Sequence, residues 1–238
     1  MKKQIPNLIT LLNLLLGCLT LIALFGGQFT LAAWLTLAAV AADFADGLVA
    51  RLLNVKSPLG KELDSIADMV SFGVVPGAAL YQLLRIGWEA PGAELFWPAA
   101  PAFLVSVFSG LRLGRFNLDT RQSQEFIGLP TPSCTVFCLG LILIYQFDSF
   151  GLASLVSDPA FLYPSIAALA WLLNAEIPLF SLKMTRFTWE GNQIPFIFAG
   201  VAALLLLLLQ EAAFSAIVLL YVLTGLVRRY LLNGSNLT

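Results

Sequence analysis

Four aspartates, Asp43, Asp46, Asp64 and Asp68, stand in two pairs on either side of a short polar stretch in DFADGLVARLLNVKSPLGKELDSIAD, residues 43–68. The sequence around them is apolar, and a carboxylate inside a bilayer costs about 2.5–3.5 kcal/mol on insertion scales. Four such groups need a partner, and a cation is the simplest one. Asp43 and Asp46 are spaced i, i+3 and Asp64 and Asp68 i, i+4, so each pair occupies one face of a helix. Asn54, Ser57, Pro58 and Gly60 lie between the pairs and favour a compact turn. The two helices then run antiparallel, and all four acids are expected to meet at one depth, about 8–12 Å inside the helix end marked by Arg51 at 1.5 Å per residue. Hard oxygen donors at this density select Mg²⁺ or Mn²⁺, and four of them can hold two ions. A two-ion site suits in-line displacement at phosphorus. Arg51 adds a planar fork for phosphate oxygens, while Gly47 and Ala50 clear side-chain bulk beside it. The same acids also fit a proton or cation pathway, or ion pairs with Arg51, Lys56 and Lys61.

The elements that must position these groups are membrane helices. Of 238 residues, 59% are hydrophobic and only 11% charged, against about 25% charged in soluble domains. Runs of about 17–25 apolar residues can cross a bilayer, and eight are expected, at about 6–26, 29–52, 62–86, 95–117, 132–148, 159–175, 193–209 and 211–232. The seventh run ends in LLLLLLQE and turns at once into the eighth, which requires a tight hairpin. With eight spans, twelve of the thirteen basic residues fall on one side and Arg85 on the other. The positive-inside rule then puts both termini, and the loops after spans two, four and six, in the cytoplasm. The fold class expected is an all-α polytopic membrane protein, a single membrane domain over 1–238, with a core at about 1–175 and C-terminal helices at about 176–238. The basic, apolar N-terminus has the look of a signal sequence, but its run is long and holds Asn7, Thr10 and Asn13. It is read as a retained first span.

What is missing also narrows the chemistry. The chain has no histidine, which removes the commonest general base, the commonest transition-metal ligand and any phospho-histidine route. Cys18, Cys134 and Cys138 all lie in apolar runs, where small packing residues are expected rather than a disulfide framework or a zinc site.

Asp43, Asp46, Gly47, Ala50, Arg51, Gly60, Asp64 and Asp68 match every fixed position of D-x2-D-G-x2-A-R-x8-G-x3-D-x3-D. In this the chain resembles the CDP-alcohol phosphotransferase family. The resemblance implies an enzyme that transfers a phosphatidyl-type group from a CDP-activated lipid to an alcohol and releases CMP, using two divalent ions, Mg²⁺ or Mn²⁺. It also implies roles. Asp43, Asp46, Asp64 and Asp68 would bind the metals, and Asp68 would serve as general base. Gly47, Ala50, Arg51 and Gly60 would line the cytidine and diphosphate pocket. A homodimer is implied as well.

Further stretches, IPNLITLLN near the start, SFGVVP at 71–76, RLGRFN at 112–117, GLPTP at 128–132 and KMTRF at 183–187, resemble the branch of that family that uses serine. RLGRFN departs from the usual alanine at Gly114. The expected partners are therefore CDP-diacylglycerol, L-serine and membrane lipid, with no nucleic acid, and the site is expected to open to the cytoplasm from the cell membrane. Arg112, Arg115 and Asn117 suit an acceptor carrying a carboxylate, although arginines at a helix end also anchor it in the interface. Asn7 and Thr10 are placed to reach the nucleotide. Lys183 and Arg186 either hold the diphosphate or set topology. The same chemistry on glycerol 3-phosphate or an inositol phosphate, and a divalent-cation channel or transporter, stand as alternatives. Gly73 with Gly77, and Gly110 with Gly114, are pairs at GxxxG spacing that allow close packing within the protomer or across a dimer, and Pro76 is expected to kink span three.

Overall fold

The structure is a computed structural model that describes residues 4–55, 57–90, 94–118, 126–179 and 193–234. Lys2, Lys3, Lys56, Arg121, Lys183 and Arg186, which entered the topology argument, lie outside the described residues. Within them, helices follow the apolar runs: α1 (Ile5–Phe25), α2 (Phe29–Leu52), α3 (Pro58–Gly87), α4 (Leu104–Leu118, led in by a 3₁₀ segment Trp97–Phe103), α5 (Thr131–Phe147), α6 (Pro159–Asn174), α7 (Gln193–Leu209) and α8 (Ala213–Gly234). The only strands among these residues are Phe126–Ile127 and Pro178–Leu179, two residues each and antiparallel.

Helices α1, α2 and α3 are each long and apolar enough to cross a membrane, as is the stretch Pro195–Val227. That stretch contains the expected hairpin. Gln210 takes a left-handed φ of 48°, and the rings of Phe198 and Tyr221, about equally far from it on either side, stack edge to face with centroids 5.8 Å apart. Helices α5 and α6 are shorter apolar helices. The surface inverts the soluble pattern: Ile22, Trp34 and Leu207 are 70%, 68% and 80% exposed, while Asn13 and Ser109 are fully buried. Such a distribution is stable only where the surroundings are as apolar as leucine and polar groups must satisfy one another inside. The chain is a polytopic membrane protein.

Helix α1 shows how the sequence directs this. Asn7, Thr10, Asn13, Gly17, Thr20 and Leu24 recur at three- and four-residue spacing and are all buried. Leu8, Leu11, Leu15 and Leu19 cover the outer face. Gly17 lets the backbone of α3 come close, since a Cβ there would stand 3.0 Å from Cα of Ser71. In its place the Ser71 hydroxyl donates to the carbonyl of Asn13 at 3.0 Å.

Helix α3 starts four residues earlier than its hydropathy suggests, because local capping extends it. Ser57 Oγ accepts from the Gly60 N–H at 3.2 Å, and Pro58 sits in the first turn, where no N–H is needed. The turn before it closes through Asn54, in left-handed geometry with φ 51°, and the N–H of Val55 returns to the carbonyl of Ala50.

Beside Pro76, where a kink is expected, α3 carries a wider turn. Residues Met69–Val74 adopt π-helical hydrogen bonding immediately before Val75 and Pro76. Pro76 has no N–H for the carbonyl of Phe72 four residues back. The hydroxyl of Thr135, on α5, lies 3.2 Å from that carbonyl and 3.0 Å from the Thr131 carbonyl of its own helix, so its one proton serves either acceptor. Three of the four GxxxG glycines face a neighbour within the protomer. Gly73 faces Ser109, Gly77 faces Phe103 and Gly110 faces Met69, whereas a Cβ at Gly114 would meet nothing within 4 Å.

Thr135→Val keeps the shape but removes this donor and leaves a buried carbonyl unpaired. Interhelical hydrogen bonds in membrane proteins average about 0.6 kcal/mol and reach about 1.7, so thermal unfolding in detergent should show a loss of that order, and Thr135→Ser should restore it.

Candidate active site

The turn between α2 and α3 brings the two acid pairs together. Carboxylate oxygens of Asp43, Asp64 and Asp68 lie within 4.8 Å of one another, each residue half-buried. Asp43 and Asp68 are close enough for their carboxyls to share a hydrogen bond. Three like charges at this separation repel strongly in a medium of low dielectric. A cation offsets that repulsion, and an all-carboxylate donor set fits a hard divalent ion. One oxygen, Oδ1 of Asp68, is buried without any hydrogen-bond partner.

Asp46 departs from the expected foursome. It lies one turn nearer the C-terminal end of α2, is 7% exposed, and its Oδ2 accepts a short bond of 2.5 Å from the Thr10 hydroxyl. Its position on the helix face remains close enough to Asp43 that both line one cleft. The trio is compatible with a metal site, and Asp46 lines the same cleft beside it.

The cleft has a volume of about 910 Å³ and lies between α1 and the facing ends of α2 and α3. Asp43, Asp46, Gly47, Ala50, Arg51, Gly60 and Asp64 all line it, together with Asn7, Thr10 and Lys61. Seven of the eight signature residues therefore share one wall system, and Asp68 joins them through the acid trio. A Cβ at Gly47 would meet nothing within 4 Å, so glycine there leaves open space rather than relieving a clash. Gly60 is different: a Cβ would come to 3.0 Å from Oδ1 of Asn7, so the missing side chain is what lets α1 close over the start of α3. Arg51 folds back and its Nε donates to the Gly47 carbonyl at 3.0 Å, which lays the guanidinium along the cleft wall.

The three residues of the RLGRFN stretch do not converge. Arg112 turns into the bundle, 8% exposed, with Nε and Nη2 buried and unbonded. Its charge faces Tyr221, Asp68 and Cys134. Arg115 is exposed, and its Nη1 reaches Oδ1 of Asn174 on α6 at 3.5 Å. Asn117 turns towards α3, where its Nδ2 donates to Ser65 Oγ at 2.8 Å and its carbonyl accepts from Lys61 Nζ at 3.2 Å. GLPTP acts as a structural clasp. Gly128 has φ +75°, with carbonyls of Leu173 and Ala175 where a Cβ would stand, and its N–H donates to the Ile177 carbonyl.

Ser65, Asn174 and Tyr221 are the neighbours that the sequence reading left out. A polar residue four after Lys61 and three before Asp68 was the available sign for Ser65. Nothing in the sequence alone pointed from Tyr221, more than a hundred residues on, to Arg112.

The family model for the CDP-alcohol phosphatidyltransferases matches residues 3–173. The chain belongs to that family. CDP-alcohol phosphatidyltransferases are phosphotransferases that use divalent cations, in keeping with the acid trio. Similar proteins include CDP-diacylglycerol–serine O-phosphatidyltransferases from three organisms. That of Helicobacter pylori (strain J99) is 36% identical over 141 residues, 58% of this chain and 57% of the relative. That of Bacillus subtilis is 35% identical over 156 residues, 63% of this chain and 81% of the relative. That of Saccharomyces cerevisiae is 38% identical over 128 residues, 46% and 42% of the two chains. The chain spans little more than half the length of the Helicobacter relative and four fifths of the Bacillus one.

A Mn²⁺ titration followed by electron paramagnetic resonance separates the trio from Asp46. Asp43→Asn or Asp64→Asn should weaken the tightest ion by tenfold or more, about 1.4 kcal/mol or above. Asp46→Asn should leave that first ion closer to normal.

Proposed function

We propose that the protein transfers the phosphatidyl group of CDP-diacylglycerol to the hydroxyl of L-serine, giving phosphatidylserine and CMP. The single observation that carries the acceptor assignment is Arg112. Its buried guanidinium has two unbonded nitrogens, Nε and Nη2, and lies within electrostatic reach of Asp68, whose Oδ1 is also unbonded. Burying polar groups without partners costs about 1–3 kcal/mol each, and more for charged ones. A small acceptor with a carboxylate for Arg112 and a hydroxyl for Asp68 would satisfy both at once. The serine transferase names of the relatives support this choice.

Asp43, Asp64 and Asp68, with Asp46 beside them, would hold two Mg²⁺ or Mn²⁺ ions. When bound, these supply charge neutralisation at the diphosphate and at the leaving phosphate. The nucleotide and diphosphate would occupy the cleft against Gly47, Ala50, Arg51, Gly60 and Asn7, with Arg51 forked on phosphate oxygens. The serine hydroxyl gives its proton to Oδ1 of Asp68 as its oxygen bonds to the β-phosphorus. The bond from that phosphorus to the bridging oxygen breaks in line, and CMP departs with the electron pair. Asp68 works chiefly by holding the hydroxyl in place, since its orphan oxygen is fixed in a packed helix.

The site faces the cytoplasm in this proposal. Arg51, Lys61, Arg112 and Arg115 share the acid-bearing end of the bundle, while Glu89, Asp148 and Asp158 lie at the other. Helices up to about residue 175 form the catalytic core, with 176–238 as a C-terminal addition. A homodimer, implied by the family resemblance, belongs to the same proposal, and Gly114 keeps an open face for it.

Purified protein given CDP-diacylglycerol, Mn²⁺ and a panel of serine, glycerol 3-phosphate and inositol phosphate should release CMP with serine. Release with a different alcohol alone removes the serine assignment, and metal flux in liposomes without CMP release removes the enzyme reading. Asp68→Asn should retain fold and lipid binding but lose activity by about 10²-fold or more, the size expected for a general base.

A further inference from the structure

Helices α3 and α4 meet through small residues. Ser65 stands against Asn117, Gly73 against Ser109 and Gly77 against Ser106. Advances of eight and four residues along α3 are answered by eight and three along α4, an antiparallel register. Such a seam packs closely but resists sliding and rotation poorly, because glycine and serine offer few knobs and an apolar surrounding gives no hydrophobic drive to one register over another. Polar bonds must then set it. Ser106 and Ser109 do not, since both hydroxyls are buried without a hydrogen-bond partner.

Among the described residues, the directional side-chain bonds of this seam lie at its acid-bearing end. Asn117 Nδ2 donates to Ser65 Oγ at 2.8 Å, Lys61 Nζ donates to the Asn117 carbonyl at 3.2 Å, and Ser65 Oγ donates to the Lys61 carbonyl at 3.2 Å. The three groups close a ring between one turn of α3 and the last turn of α4. From it, Asp68 lies three residues on along α3 and Arg112 five residues back along α4, so both point into the bilayer from the same anchor.

We propose that Asn117 is a positioning residue and not a serine ligand: with Ser65 and Lys61 it latches the end of α4 to α3 and so sets Arg112 against Asp68. Its Nδ2 and its main-chain carbonyl are both engaged within the ring, which ties the side chain and the backbone of the last turn of α4 to α3. The latch fixes the rotation of α4 about its axis. A guanidinium at the end of a long side chain magnifies any rotation, and a displacement of about 1 Å at a reacting group can cost up to 10²-fold. This inference rests on the proposed acceptor reading, in which Arg112 holds the acceptor carboxylate.

The test uses the full chain in nanodiscs, with CMP release as the assay and CDP-diacylglycerol and serine varied in turn. Ser65→Ala and Asn117→Ala should each raise the KM for serine about tenfold, leaving the KM for CDP-diacylglycerol within about twofold. The double variant should be no worse than the worse single one, because both remove the same bond. Ser65→Thr, which keeps the hydroxyl, should restore the serine KM. Unchanged serine KM, multiplicative effects in the double variant, or equal losses for both substrates would overturn the latch. Wild-type controls separate the two levels. If CMP release requires another alcohol, the serine assignment falls and the latch is read on that alcohol's KM. Absence of release with every alcohol overturns both.

Discussion

Carboxylates crowded in a medium of low dielectric impose the constraint from which most of this structure follows. Asp43, Asp64 and Asp68 bring oxygens within 4.8 Å of one another at the junction of two membrane helices. Mutual repulsion and desolvation both oppose such an arrangement, so it persists only if the scaffold is rigid and the charge is met by something else. Rigidity comes from below and beside the acids. Ser57 caps α3, Thr10 ties Asp46 to α1, and the Asn7 side chain packs against the bare backbone of Gly60. Each contact is local and modest, yet together they define one depth and one face for the acids. A flexible loop could not do this, because the ordering cost would fall on the cation at every binding event.

The second constraint is closeness. Helices in lipid gain nothing from burying leucine against leucine, so the bundle gathers through glycine and serine. Gly17, Gly77 and Gly140 each admit a neighbouring helix where a Cβ would collide. Close approach also concentrates polar atoms. Asn13, Ser106, Ser109, Arg112 and Asp68 all have buried side-chain atoms without hydrogen bonds, and two of these residues flank the space assigned to the acceptor. Orphan groups in a native interior store free energy that a fitting ligand releases. Of these residues only Asp68 and Arg112 carry charge, and the acceptor argument rests on those two.

Much of this was legible in the sequence, for identifiable reasons. Membrane spans announce themselves by length and composition, and i, i+3 and i, i+4 spacing puts acids on a face whatever the tertiary packing. Hence the helix positions, the hairpin at Gln210 and the meeting of Asp43, Asp64 and Asp68 follow from residue order alone. Asp46 shows where periodicity stops. Spacing put it on the correct face, but the Thr10 hydroxyl 36 residues away claims its oxygen, and no periodic rule encodes such a partner. The RLGRFN stretch shows the same limit. Three polar residues at one helix end read as one site, but Arg115 bonds Asn174 and Asn117 bonds Ser65, while Arg112 is buried in the bundle; their helical spacing names none of these partners.

Chemistry and acceptor choice are thereby separated in the chain. The acids, glycines and Arg51 on α2 and α3 line the cleft for the activated group, and their spacing is rigidly prescribed by two helix ends and one turn. Groups that would read the acceptor come from α4, across a seam of small residues that could admit other registers. On the proposed reading, altering what a neighbouring helix presents would change the acceptor without touching the acids of α2 and α3. A fold built this way can keep one reaction and exchange its alcohol, provided the seam is pinned. The pinning groups sit at the end of the bundle where Lys61 is exposed, and not in the apolar middle, where the same bonds would carry a heavier desolvation cost.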